Sequence, residues 1–362
     1  MNFAFRVDAS VQIGTGHVMR CLTLAAALQR KGHECIFISR ARSGNLASSI
    51  LGNGFQLYEL SCDLQEVESE TSFDWNEHAQ WLGVHWQLDA EQTFNVLDSY
   101  RPDWLIVDHY SLDAQWENQV AEYPTRVMVI DDLADRDHYC DLLLDQTFGR
   151  VPDDYQNRVP EHCQVLCGTK YALLRPEFAS LRSYSLKRRS NPVMRQLMIS
   201  MGGVDKDNAT GKVLDALRLT PLEKQCKIIV VMGETSPWLQ SVKSQARAMP
   251  WSVDVKVGVS NMAQLMADSD YAIGAAGATS WERCCLGLPT FMIVIAENQK
   301  TIAKAIGDVG AAKVVDLQKL CRELPALEDI INPPLMNAMV NAAKDVCDGA
   351  GTTRVVDKLI QG

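Results

Sequence analysis

The chain has 362 residues, 47% of them hydrophobic and 22% charged, an ordinary globular composition that excludes disordered, collagen-like and low-complexity chains. Its 35 Lys and Arg against 45 Asp and Glu give a net charge of −10, which lacks the basic footprint of a nucleic-acid-binding surface. The longest apolar run, 286–296, is too short for a bilayer, and charges at Arg6 and Asp8 fall where a secretory signal needs an apolar core. A cytoplasmic protein of about two domains is expected, with no membrane and no nucleic-acid partner.

In chain order, Phe3–Asp8 predicts a first strand. A loop with two glycines follows. Val18, Leu22, Leu24, Ala25 and Leu28 then recur at helical spacing until Gly32 stops the helix. Further strands are expected at Cys35–Ser39, Trp104–Asp108, Arg126–Asp131, Leu142–Asp145 and Val165–Gly168. The acidic, irregular stretch from Glu59 to Glu77, leading into a helix that ends at Leu97, reads as a solvated excursion, with a lid over 59–92 as the alternative. The polar, Pro-containing run 184–194 reads as a linker and its Lys187-Arg188-Arg189 as a solvated hinge. The pattern then restarts. Strands are expected at Gln196–Met201, Lys227–Met232, Val253–Val257, Tyr271–Gly274, Thr290–Ile295 and Lys313–Val315, with helices at Asn208–Leu217 and Thr352–Ile360. Continuous apolar strands between helices predict two consecutive doubly wound α/β domains, 1–183 and 195–345, followed by a C-terminal helical segment, 346–362. The eleven cysteines lack zinc-finger spacing and are expected to be free thiols.

Four loops carry candidate chemistry. Gly14-Thr15-Gly16-His17 joins the first strand to the first helix, where ligands bind in such sheets. It is not a dinucleotide fingerprint, because position 19 is Met and the second strand ends at Arg40 rather than an acid. His17 at a helix start is a candidate proton acceptor, with Arg20 one turn on. The alternative is a capping or core histidine. All seven histidines lie within the first 162 residues, so an imidazole base must come from the N-terminal half. Asp108-His109-Tyr110 closes a strand and could present all three side chains to one cleft, or could be an ordinary turn. Asp131-Asp132 reads as cap and turn before it reads as a metal site. In 274–282, small residues with Thr279 and Ser280 at a helix start form a candidate anion cradle, without the Gly-Lys-Ser/Thr of a P-loop. Glu282 could accept from ribose hydroxyls or close a capping box with Thr279.

Phe5-Arg-Val-Asp8-Ala-Ser10 and Ile13-Gly-Thr-Gly-His17-Val-Met-Arg20-Cys-Leu resemble the opening of the UDP-2,4-diacetamido-2,4,6-trideoxy-β-L-altropyranose hydrolases of pseudaminic acid biosynthesis. The resemblance continues through Ile106–Tyr110, Asp131-Asp132, Cys167–Phe178, Met201-Gly-Gly-Val-Asp205 and Glu297-Asn298-Gln299, covering roughly residues 3–315. It implies an α/β GT-B architecture, two Rossmann-like doubly wound domains facing across a cleft, with the last helix packed on the N-terminal domain. The implied reaction is inverting hydrolysis at the anomeric carbon, releasing UDP, with no metal and no cofactor. His17 and Tyr110 take the catalytic positions. Asp8, Gly14, Gly16, Arg20, Gly202, Gly203, Gly277, Ala278, Thr279, Ser280, Glu282, Asn298 and Gln299 take the substrate-binding ones. The implied partner is a small-molecule UDP-sugar, and a monomer is the expected state. A GT-B glycosyltransferase, a UDP-sugar 2-epimerase and a catalytically silent nucleotide-sugar-binding module are the competing readings.

Overall fold

The computed structural model describes residues 1–61, 76–121, 125–191, 193–220, 222–324 and 332–361, except the side chains of Asn298 and Cys321. Of the segment read as a lid, residues 62–75 lie outside the described residues, as does Pro192 of the expected linker.

The chain divides into two compact units, Met1–Leu173 with Thr352–Gly362, and Leu174–Gly351. In the first unit β1 (Asn2–Val7), β2 (Glu34–Arg40), β3 (Gln56–Leu60), β4 (Trp104–Asp108), β5 (Arg126–Ile130), β6 (Leu142–Asp145) and β7 (Gln164–Cys167) form one parallel sheet. The strand order is β3-β2-β1-β4-β5-β6-β7. Phe5 sits in register with Phe37 and Ile106, its ring stacked 4.9 Å from that of Phe37. The two-residue period of β1 sends Phe3, Phe5 and Val7 to one buried face and Ala4 and Arg6 to the other. The helix Gly16–Arg30 packs on the first face, together with Val355, Val356 and Leu359 of the last helix, Gly351–Gln361. Trp104 Nε1 donates to the Leu359 carbonyl at 3.1 Å.

The second unit repeats the plan. β8 (Gln196–Ser200), β9 (Lys227–Met232), β10 (Ser252–Val257), β11 (Tyr271–Ala275), β12 (Thr290–Val294) and β13 (Ala312–Asp316) form a parallel sheet ordered β10-β9-β8-β11-β12-β13. Its core joins Ile199, Val230 and Ile273 from the strands to Val213 and Leu217 from the helix Ala209–Leu217.

Three expectations are corrected. β3 did not stand out as a strand in the sequence, because it is an edge strand whose residues are mostly half-exposed. The unit boundary precedes residue 184. The helix Pro176–Arg188 belongs to the second unit, where it packs against the helix Met262–Asp268. The basic run is no solvated hinge either. Arg189 is buried, and its guanidinium donates to the carbonyls of Met266 at 2.8 Å and Ser269 at 2.7 Å, while Arg188 pairs with Asp270 at 2.6 Å. Four helix-terminal carbonyls lack intrahelical partners, and Arg189 supplies donors at that end of Met262–Asp268. Among the described residues no helix is long and apolar enough to cross a membrane.

Candidate active site

In the first sheet β1 and β4 are neighbours although they are not consecutive, so the crevice beyond their carboxyl ends is the topological switch point of a doubly wound fold. The loop after β1 closes tightly. Ser10 Oγ accepts from the amides of Gln12 and Ile13, and the Gly14 amide donates to the Ser10 carbonyl at 2.8 Å. Gly14 takes φ +83°, which an L side chain resists, and the space at Gly16 is open. The helix Gly16–Arg30 then places His17 and Arg20 on the side that meets the end of β4.

There His17 Nδ1 lies 2.5 Å from Asp108 Oδ1. Arg20 grips the same carboxylate, Nε to Oδ2 at 2.6 Å and Nη2 to Oδ1 at 2.7 Å, and extends Nη1 to Asp132 Oδ2 at 2.5 Å. Burial alone would raise the Asp108 pKa, but Arg20 and His17 outweigh it and hold the carboxyl well below the usual range. An ionised Asp108 is acceptor only, so the proton in the short contact sits on His17 Nδ1. In the neutral ring Nε2 is then the acceptor nitrogen, with no hydrogen bond to it among the described residues. Tyr110 donates its hydroxyl to Asp132 at 3.1 Å and sets its ring edge 4.6 Å from the His17 ring. Burial, reinforced by Asp132, raises the phenol well above its ordinary pKa and keeps it protonated.

Two expected members of the constellation are absent from it. Asp8 is fully buried, its oxygens taken by Arg6 at 2.6 and 2.9 Å and by the Arg40 amide at 2.7 Å. A buried carboxylate must be paired, and this one belongs to an ionic cluster in which Asp89 bridges Arg6 and Arg40. His109 points the same way, its Nε2 3.3 Å from Asp8, because consecutive side chains at a strand end alternate in direction. The residues that complete the centre, Asp108 and Asp132, are strand-end acids 91 and 112 positions from their partners on the first helix. The Asp-His-Tyr triplet signalled the first. The second was masked by the cap-and-turn reading.

In the second unit the remaining candidates follow β8, β11 and β12, three adjacent strands. Gly202 takes φ +93° with open space beside it, and Gly203 sets its carbonyl against Gly233. Gly277 also faces open space, while Ala278 is the exposed N-cap of the short helix Thr279–Cys285. The capping box between Thr279 and Glu282 does not form. Thr279 Oγ1 accepts from Arg283 at 3.2 Å instead. Ser280 departs from the cradle expected of it. Its side chain is fully buried and accepts from Arg283 at 3.0 Å, and its amide donates to Gly277. Glu282 is pushed up to about 7 by burial, a rise that Arg175, 3.9 Å away, only partly offsets. Gln299 turns inward, its Oε1 accepting from the Ile295 amide at 3.1 Å. The side chain of Asn298 lies outside the described residues. No cluster of three or more His, Cys, Asp or Glu side chains with metal-ligand geometry occurs among the described residues.

Two doubly wound parallel domains in tandem define the GT-B fold class. Acinetobacter baumannii MurG shares it, with a TM-score of 0.70 and 16% identity over 100% of this chain and 99% of that one. Residues 201–352 match the glycosyltransferase family 28 C-terminal domain. The motif resemblance is accompanied by similarity over most of the chain. The Campylobacter jejuni UDP-2,4-diacetamido-2,4,6-trideoxy-beta-L-altropyranose hydrolase is 26% identical over 311 residues, 86% of this chain and 97% of that protein. An uncharacterized protein of Methanocaldococcus jannaschii is 25% identical over 307 residues, 83% of this chain and 56% of its own, so the chain spans about half the length of that relative.

Proposed function

We propose that the chain is a nucleotide-sugar hydrolase that converts UDP-2,4-diacetamido-2,4,6-trideoxy-β-L-altropyranose to UDP and the free sugar by inverting attack of water at C1. The observation that carries this reading is the His17–Asp108 contact at 2.5 Å, which orients the ring and supports Nε2 of the neutral imidazole as the acceptor. The similarity to the C. jejuni hydrolase supports the substrate. Water bound at Nε2 gives up its proton to the ring as its oxygen bonds to C1. The C1–O bond to the diphosphate breaks, and its electron pair leaves with UDP. Asp108 stabilises the imidazolium formed in that step, and Arg20 holds Asp108 in place. Tyr110 shapes the approach to His17. In the second unit Glu282 accepts from the ribose, and the open backbone at Gly202, Gly203, Gly277 and Ala278 receives the diphosphate.

The family 28 match favours one second reading, in which an acceptor hydroxyl takes the place of water. Incubation of the protein with the UDP-sugar in ¹⁸O-labelled water, followed by early-time NMR and mass spectrometry, separates the two. Hydrolysis puts label on an anomerically inverted free sugar and none in UDP. A requirement for an added acceptor makes the protein a transferase, and label in UDP moves the attack to phosphorus.

A further inference from the structure

Beside His17 lies a group of rings that the hydrolytic step does not use. The turn Asn76–Gly83 carries His78 and, in the short 3-10 helix Ala79–Trp81, Trp81. Their ring centroids are 4.7 Å apart, and each packs on Tyr110, at 5.4 Å from His78 and 5.8 Å from Trp81. Tyr110 in turn abuts His17. Both added rings are half-buried, so each keeps an open surface. The turn is fastened on two sides. Ser111 Oγ donates to the His78 carbonyl at 2.5 Å and Asn76 Nδ2 donates to the Ser111 carbonyl at 3.0 Å. Arg42 donates to the Trp81 carbonyl at 2.6 Å, and its guanidinium fills the place a side chain at Gly83 would need. The same guanidinium reaches Gln12 in the loop that leads to His17, at 3.3 Å. A half-exposed Trp is held against the reacting centre by a bond to its own backbone and by ring contacts with His78 and Tyr110, which leaves the exposed part of its ring open to a ligand.

We infer that Trp81, with His78 beside it, is the wall against which the apolar face of the substrate's pyranose packs, a specificity-determining surface supplied by the 76–83 turn. The sugar's identity rests on the hydrolase reading; the wall's existence does not. A 6-deoxy pyranose presents a methyl group and a face of C–H bonds. An aromatic face is electronegative and complements them. The wall borders His17, where C1 must sit, whereas the uracil is separated from C1 by a ribose and a diphosphate. Burial pushes the His78 imidazole below its usual pKa and keeps that ring uncharged.

The test is calorimetric titration in a His17→Asn background, whose expected turnover is about 10²–10⁴-fold slower. UDP alone and UDP-2,4-diacetamido-2,4,6-trideoxy-β-L-altropyranose are each titrated into that parent, into the parent with Trp81→Ala and into the parent with Trp81→Phe. Trp81→Ala should weaken the UDP-sugar about tenfold, leave UDP within twofold, and be largely rescued by Phe. Equal weakening of both ligands makes Trp81 structural and overturns the inference. So does an unchanged UDP-sugar affinity, or a parent that binds the UDP-sugar no better than UDP. Turnover of the unsubstituted protein tests the hydrolase reading separately, since a protein that binds at the wall and releases no UDP refutes that reading alone.

Discussion

Asp108 shares two oxygens among His17, Arg20 and the Cys21 thiol, and so does three tasks from one position. It chooses the tautomer, orients the ring and anchors the arginine that spans to Asp132. His17→Asn should lower kcat by about 10²–10⁴-fold with UDP affinity within a few fold. A coupled UDP-release assay that retains more than a tenth of the rate removes His17 from the chemistry. Asp131 and Asp132 are already committed. Arg136 lies 2.9 Å from Asp131, and Arg20 and Tyr110 hold Asp132, so activity should be unchanged in excess EDTA. Glu282 gives two pH dependences of opposite sign. Its carboxyl, raised to about 7, is neutral below that pH and ionised above it, so affinity for UDP should rise with pH through about 7. The unliganded protein should lose stability over the same rise, from the ordinary glutamate range near 4.5 up to 7, because the unfolded chain ionises first. Both trends should flatten in Glu282→Gln, read by calorimetry and urea melts across pH 5–8.

The helix Met262–Asp268 is short, and its end is finished from outside by Arg189. Arg189→Ala removes the close guanidinium donors from those carbonyls, leaving only the 3.3 Å bonds from the Ser269 amide to Met266 and from Arg188 to Ser269, and should destabilise the second unit by about 1–3 kcal/mol in urea unfolding. Lys187→Ala, on the exposed side of the helix Pro176–Arg188, should stay within about 0.5 kcal/mol. Arg189 also shows where the sequence was silent. A run Lys-Arg-Arg next to a proline looks solvated, and nothing local reveals that one of the three is a buried cap. Strands buried on both faces were legible as apolar runs: Trp104–Asp108, Leu142–Asp145 and Lys227–Met232 need no correction. Gln56–Leu60 was not, because an edge strand mixes exposures and lacks such a run. At the site, His17 and Arg20 were legible from helical spacing, and Asp108 and Tyr110 from their strand end. Asp8, expected at the site from the resemblance alone, is a buried counter-ion, since a motif match does not say which face of the sheet a carboxylate joins.

At the scale of the molecule, two Rossmann-like units share one chain unequally. The second is continuous, Leu174–Gly351, while the first needs both ends of the sequence. Val355, Val356 and Leu359 complete its core, and burying each side chain is worth about 1.5–3 kcal/mol. A chain ended after Gly351 should therefore lose the first unit's melting transition, or have it sharply lowered, while the second unit's transition persists in differential calorimetry.

The bond from Trp104 to Leu359 also bears on how the protein is made. On the ribosome the first unit emerges first yet cannot close until the final turn of helix is translated, and the intervening segment takes roughly 10–40 s at ordinary elongation rates. The second unit, with everything it needs in one stretch, is free to finish earlier. The nascent chain thus completes its later unit before its earlier one. A stall within the codons for Gly351–Gln361 leaves a half-closed product whose exposed strip is the seat of the missing helix.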